Sequence, residues 1–385
     1  MTNFCKTPVA AVLWYTMVFL LAERVICKQL KLAISRLNTA DDKVGLLTTL
    51  LADGQQQTAV VDTGGPKSFF VWKSWYEHLL GPGSCKQLLW GCYDRKLPFP
   101  KPANLEYIDF NDDSSVGIFP YSANVRFGNF AKANTKIGLV SASDPSPLQR
   151  PPHASFGLGP PREGPTRFPT FMQQLMSDPA RPISGNIFAL YLNQSKSAVP
   201  AGYTGYLLLG KGDPTVYQKP LKYIPLIPST LWRVRLGFFQ IGRARKTDVL
   251  GEEVVIDTGT NAMLVPQAHL ESLLSSIRQH ASATAGTTVS VDWYRPWGVY
   301  VFECRFLKYF PNINFGLGNA GSEVTVEIAH NAYFLGESLV RGRCVLGISA
   351  HRGSGWYLPD TSLVGNYFEF QPDNERIGYA KLKAR

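Results

Sequence analysis

Two acidic residues stand at matching places in this chain of 385 residues. Asp62 closes the run Val60-Val61-Asp62-Thr63-Gly64, and Asp257 closes Val255-Ile256-Asp257-Thr258-Gly259, 195 residues later. In each run an apolar strand delivers a carboxylate, and a hydroxyl residue and a glycine follow it. Two carboxylates held together away from water cannot both ionise easily. They share a proton, so one serves as a base and the other as an acid. A single Asp-Thr-Gly is also an ordinary turn in which the acid only caps backbone groups. Two copies with matched apolar lead-ins, half a chain apart, indicate internal duplication.

Other chemistries find no support in the sequence. No Gly-x-Ser-x-Gly nucleophile elbow appears, and no glycine-rich phosphate loop follows a strand. The six histidines are scattered without metal-ligand spacing, so neither a metal nor a cofactor is expected. The formal charge of +10 is spread along the chain. A basic surface of this kind can adhere to acidic polysaccharide. No basic helix or aromatic stacking platform points to nucleic acid.

The elements that must carry the two acids read as strands. The chain is 45% hydrophobic, with 34 glycines and 27 prolines, which suits short strands and many turns. Its length suggests two lobes. Runs such as 186–192, 205–210, 232–242, 299–304 and 323–329 are strand-like, several alternating apolar and polar residues. Helical pattern is confined to 169–177 and 266–280. In the second, Leu270, Leu273, Leu274 and Ile277 form an apolar stripe, and Pro266 suits a first helical turn. Each half also has a later apolar-to-glycine element, at 154–159 and 362–380, where glycine permits close backbone approach.

Residues 1–27 read as a secretory signal: Lys6, then the apolar stretch Pro8 to Ala22, too short to span a bilayer comfortably. An uncleaved anchor is the alternative. Of the six cysteines, removal of Cys5 and Cys27 with that segment leaves an even set. Local pairing gives Cys85–Cys92 and Cys304–Cys344, one bridge in each half, with zinc as the rival use. Asn193, in Asn-Gln-Ser, is an acceptor pattern for N-glycosylation.

These residues resemble the pepsin-like aspartic peptidase family, nearly end to end from about Leu30. The order of 186–192, 205–213, 221–226, 232–242 and 254–260 follows that family's central region, and 363–380 is similar to its closing strands. The resemblance implies an all-β, bilobal fold of two β-barrel-like lobes with a central cleft, here a lobe over 28–190 and another over 191–385. It implies that Asp62 and Asp257 meet in the cleft as the catalytic pair. Thr63 and Thr258 would hold the two turns together by reciprocal hydrogen bonds, while Gly64 and Gly259 let backbone amides approach the carboxylates. Thr260 would donate to its own acid.

Three departures stand against that pattern. Gly65 occupies the place where the family has a hydroxyl, which should raise the proton affinity of the first acid. The hairpin that closes the cleft has its tip at 108–115, with Phe110 where tyrosine is expected, and with Asp112 and Asp113 in place of a glycine-rich tip. Only 33 residues separate Lys28 from Asp62, about what the first strands need. That opening resembles plant xylanase-inhibitor-like and basic-globulin-like relatives. Trp72 reads as core or as cleft wall. The expected function is a secreted aspartic endopeptidase, monomeric, extracellular or vacuolar, acting on peptide or protein substrates. The alternative is a non-proteolytic binder on the same scaffold, for instance of a glycoside hydrolase or a cell-wall component.

Overall fold

A computed structural model of the protein describes residues 29–37, 45–95, 105–128, 130–161, 169–195, 202–338 and 340–384. The expected signal segment, with Cys5 and Cys27, lies outside the described residues. Strands dominate and gather into sheets of thirteen, seven and four strands. The fold is the bilobal, all-β architecture expected from the sequence.

The thirteen-stranded sheet joins the two ends of the chain. At its centre Leu30–Leu37 pairs with Gly202–Leu209, which pairs with Phe188–Leu192, and beyond it lie Asn366–Gln371 and Arg376–Lys381. Leu30–Leu37 alternates as a half-buried strand should, with Leu32 and Ile34 inside and Lys31 and Ala33 outside. All six residues of Asn366–Gln371 are buried, because this strand is covered on both faces.

Each acid is delivered in the same way. Gln55–Asp62 begins polar and ends with four buried residues. Its last three residues pair in parallel with Ser155–Gly157: Val60 with Ser155, Val61 with Phe156, Asp62 with Gly157. In the second half, Thr247–Ile256 pairs in parallel with Trp356–Leu358: Val254 with Trp356, Val255 with Tyr357, Ile256 with Leu358. Parallel pairing buries a strand on both faces, which is why the lead-ins are continuous apolar runs. Burying each Val or Ile side chain contributes about 1.5–3 kcal/mol and fixes the acid's position. By this register Leu158 in the first half occupies the place of Asp360 in the second.

The helices depart from the sequence expectation in their bounds. Phe171–Met176 starts from a capping box between Thr170 and Gln173. Gln267–Ala285 buries Leu270, Leu273, Leu274 and Ile277, and runs five residues past the expected end to Gly286. Pro266 is not in its first turn: it is the N-cap, with extended ψ of 137°. A further helix, Lys73–Leu80, was not expected; it buries Trp75 and Tyr76 and has no side-chain cap. Trp72, just before it, is fully buried and donates its indole N–H to the Arg95 carbonyl, so it is core. Among the described residues the disulfides are Cys85–Cys92 and Cys304–Cys344.

Candidate active site

The two Asp-Thr-Gly turns interlock. The Thr63 amide donates to Thr258 Oγ1 at 3.1 Å, and the Thr258 amide donates to Thr63 Oγ1 at 2.9 Å. Each hydroxyl then passes its own proton across the interface: Thr63 Oγ1 to the Ile256 carbonyl at 2.8 Å, Thr258 Oγ1 to the Val61 carbonyl at 2.6 Å. Both threonines are completely buried. Four buried hydrogen bonds thus fix the two strand ends to each other, at about 1 kcal/mol net apiece and considerably more if one partner is left unpaired.

The interlock brings each carboxylate against the opposite glycine. A β-carbon at Gly64 would stand 2.6 Å from Asp257 Oδ1, and one at Gly259 would stand 2.5 Å from Asp62 Oδ1. Nothing larger than glycine fits at either place while the carboxylates hold their positions. Asp62 and Asp257 are only 8% and 7% exposed, so both are nearly buried.

Backbone and hydroxyl donors aim the carboxylates. Asp62 Oδ1 accepts the amides of Gly64 at 2.8 Å and Gly65 at 3.1 Å. Asp257 Oδ1 accepts the Gly259 amide at 2.9 Å, and its Oδ2 accepts the Thr260 hydroxyl at 3.0 Å. Burial pushes the Asp257 carboxyl above the usual carboxylate range, and the donors from Thr260, Gly259 and Gly64 pull it back in part.

The hairpin over the first half pairs Glu106–Asp109 with Ser115–Phe127, and residues 110–114 form its tip. Phe110 sits at the start of the turn, its amide bonded to the Ser114 carbonyl at 2.8 Å. The Phe110 ring lies 4.8 Å from the His153 ring, which in turn lies 5.7 Å from Phe69. A chain of three mutually tilted rings therefore ties the tip to the strand that follows the first acid turn. Desolvation lowers His153 to about 4, the Asp112 charge opposing this and Arg150 assisting it. Asp112 is paired with Arg150 and lies below the usual carboxylate range despite partial burial, held there by Ser114 and Arg150. Asp112 at the hairpin tip is thus ion-paired.

Two charged groups near the acids escaped the sequence reading. Arg36 Nε donates to both oxygens of Asp360, at 3.1 and 3.0 Å, and both side chains are buried. Arg36 falls in phase with Leu32 and Ile34 on the inward face of its strand, which is the signal that could have found it. The second is Lys67, five residues after Asp62, buried and 3.6 Å from Glu106 at the base of the hairpin. Asn193 is half-buried at a strand end, and its side-chain amide donates to the Thr204 carbonyl at 2.9 Å. Among the described residues no group of three or more His, Cys, Asp or Glu side chains could hold a metal ion.

Paired acids at interlocked Asp-Thr-Gly turns in a two-lobed β-protein define an aspartic peptidase scaffold. The chain belongs to the eukaryotic aspartyl protease family, whose family model matches residues 50–382. Among characterised relatives it is 27% identical over 232 residues to cathepsin D of Clupea harengus, covering 59% of this chain and 53% of that protein. It is 27% identical over 216 residues to cathepsin D of Homo sapiens, covering 56% and 47%. It is 25% identical over 285 residues to gastricsin of Cavia porcellus, covering 71% and 64%. The chain thus spans about half the length of the cathepsins D it matches.

Proposed function

We propose that the protein is an aspartic endopeptidase in which Asp62 and Asp257 are the catalytic residues. The observation that carries this reading is the cross-packing of each turn's glycine against the other turn's carboxylate. Two acids so placed, nearly buried, hold one proton between them. The ionised member takes a proton from water as the water attacks a peptide carbonyl carbon. The protonated member gives its proton to the carbonyl oxygen, forming a neutral diol. On collapse, the carboxyl that took the water proton gives it to the departing amine while the other carboxylate takes a proton from a diol hydroxyl, which breaks the C–N bond and returns the pair to its starting state. Both steps are general acid–base catalysis by positioned groups and need no covalent intermediate.

Thr63 and Thr258 hold the geometry, Gly64 and Gly259 leave room for it, and Thr260 anchors the outer oxygen of Asp257. Phe110 contributes an apolar ring at the hairpin tip, and the substrate is an extended segment of peptide or unfolded protein. The disulfides favour an oxidising, secretory compartment for the chain. The test is digestion of a broad peptide library by the purified, disulfide-bonded protein between pH 2 and 7, with and without pepstatin. Acid-favoured cleavage that pepstatin blocks, and that Asp62→Asn and Asp257→Asn abolish, is expected. No cleavage at any pH, from protein whose disulfides are intact, contradicts the reading and favours a binding role for the same cleft.

A further inference from the structure

The tip of the hairpin and the loop that ends at His153 are two stiff pieces. In the tip, the Phe110 amide bonds the Ser114 carbonyl at 2.8 Å, and Asp112 Oδ1 accepts both the amide and the hydroxyl of Ser114. Phe110 and Asp112 are therefore held at a fixed spacing. In the loop, the Ser146 carbonyl accepts the amides of Gln149 and Arg150 at 2.8 and 3.0 Å. Pro151 and Pro152, whose rings fix φ, then carry the chain from Arg150 to His153.

The two pieces meet at matching points. The Arg150 guanidinium pairs with the Asp112 carboxylate, and the Phe110 ring lies 4.8 Å from the His153 ring. His153 is itself seated against rings of the lobe, 5.7 Å from Phe69 and 6.3 Å from Trp90 in the loop closed by Cys85–Cys92. The ion pair is about half exposed, at 53% for Arg150 and 46% for Asp112, and exposed pairs are weak. Closure therefore rests mainly on the ring contact, and one partner in that contact can take up a proton.

We propose that the Phe110–His153 and Asp112–Arg150 contacts form a latch that holds the hairpin tip down on the loop, and that protonation of His153 releases it. Desolvation holds the imidazole at about 4, with Asp112 on the tip opposing and Arg150 on its own loop assisting. Among the described residues these two are the charged groups coupled to it, while Phe69 and Trp90 present rings. Once the tip lifts, water reaches the imidazole and its proton affinity returns toward the ordinary value of 6.5. The closed form thus prefers neutral His153. The closed-to-open ratio is greatest above about 6.5, falls about tenfold per pH unit below it, and levels off near 4, about 300-fold lower. On the peptidase reading, on which this consequence rests, the cleft opens to peptide in acid and stays covered near neutrality.

The test places 4-fluorophenylalanine at Phe110 of the full, disulfide-bonded chain and follows its fluorine-19 shift from pH 7 to pH 3, with near-ultraviolet circular dichroism recorded alongside. A single transition with its midpoint between about 4 and 6.5 is expected, at constant dichroism. His153→Phe should abolish the transition. His153→Gln, which cannot charge either, should do the same and remains informative if His153→Phe does not fold. Arg150→Gln and Asp112→Asn should each move the midpoint to higher pH by less than about one unit, and the double variant no further than either. A midpoint unchanged by His153→Phe, a tip that tightens in acid, no transition at all, or a transition shared with the dichroism overturns the proposal. The readout needs no turnover, so absence of cleavage with the transition intact contradicts the peptidase reading alone.

Discussion

At the first turn, one oxygen of Asp62 takes two backbone amides, from Gly64 and Gly65. At the second, the bonds are divided: Gly259 serves one oxygen of Asp257 and the Thr260 hydroxyl serves the other. Behind the first turn lies Leu158, and behind the second lies Asp360 with Arg36. The backbone is duplicated, while the electrostatic surroundings are not. A symmetric scaffold brings two identical acids together in unequal surroundings. One proton shared by the pair makes one member the acid and the other the base at any instant.

The comparison is most severely tested by removing either acid. Asp62→Asn and Asp257→Asn are each expected to lower kcat/KM by about a thousandfold or more, since positioned acid–base groups contribute on that scale. A variant that retained most of its activity would break the claim that both acids work. Next in size are Gly64→Ala and Gly259→Ala, whose new methyl groups would meet the opposite carboxylate at 2.6 and 2.5 Å. Both should cripple cleavage while melting little below wild type, which a merely structural glycine would not do.

Thr63→Val and Thr258→Val each remove a hydroxyl that accepts one buried bond and donates another. Each should cost about 2–3 kcal/mol, visible as a lower denaturant midpoint with an unchanged slope. Equal losses from the two variants would sharpen the view that the interlock is symmetric. Thr260→Ala probes the asymmetry: losing a donor to the ionised form raises the proton affinity of Asp257. The limb of the pH–rate profile that reports this proton should move to higher pH, by a fraction of a unit to one unit.

A smaller contrast appears in stability. The Asp360 carboxyl is raised to about 6 in the fold, so its contribution is full below the ordinary carboxylate range near 4 and is lost as pH rises through 6. His153 is lowered to about 4, so its contribution is full above about 6.5 and is lost as pH falls through 4. The two halves thus respond to pH in opposite senses. His153→Phe should flatten the acid side of a melting-temperature profile, and Asp360→Asn the side near neutrality.

The legible part of this molecule was what repeats or stays local. The paired turns stood out because two apolar lead-ins matched residue for residue, and the disulfides because the partners fall within one half. The helix Lys73–Leu80 was hidden by its brevity and by the lack of a capping side chain. Pro266 was placed one position too far inside its helix, because a proline suits either side of that boundary. The Arg36–Asp360 pair was illegible by separation, although the inward phase of Arg36 was a usable clue. The pairing of Asp112 with Arg150 was illegible because the two lie 38 residues apart.

The central claim is that Asp62 and Asp257 hold one proton jointly, and carboxyl titration of the wild type beside Asp62→Asn and Asp257→Asn reads it directly. The account predicts two widely separated steps in the wild type, and a single step at an intermediate pH for whichever acid remains in each variant. Two acids that titrate independently, each indifferent to the loss of the other, would contradict it.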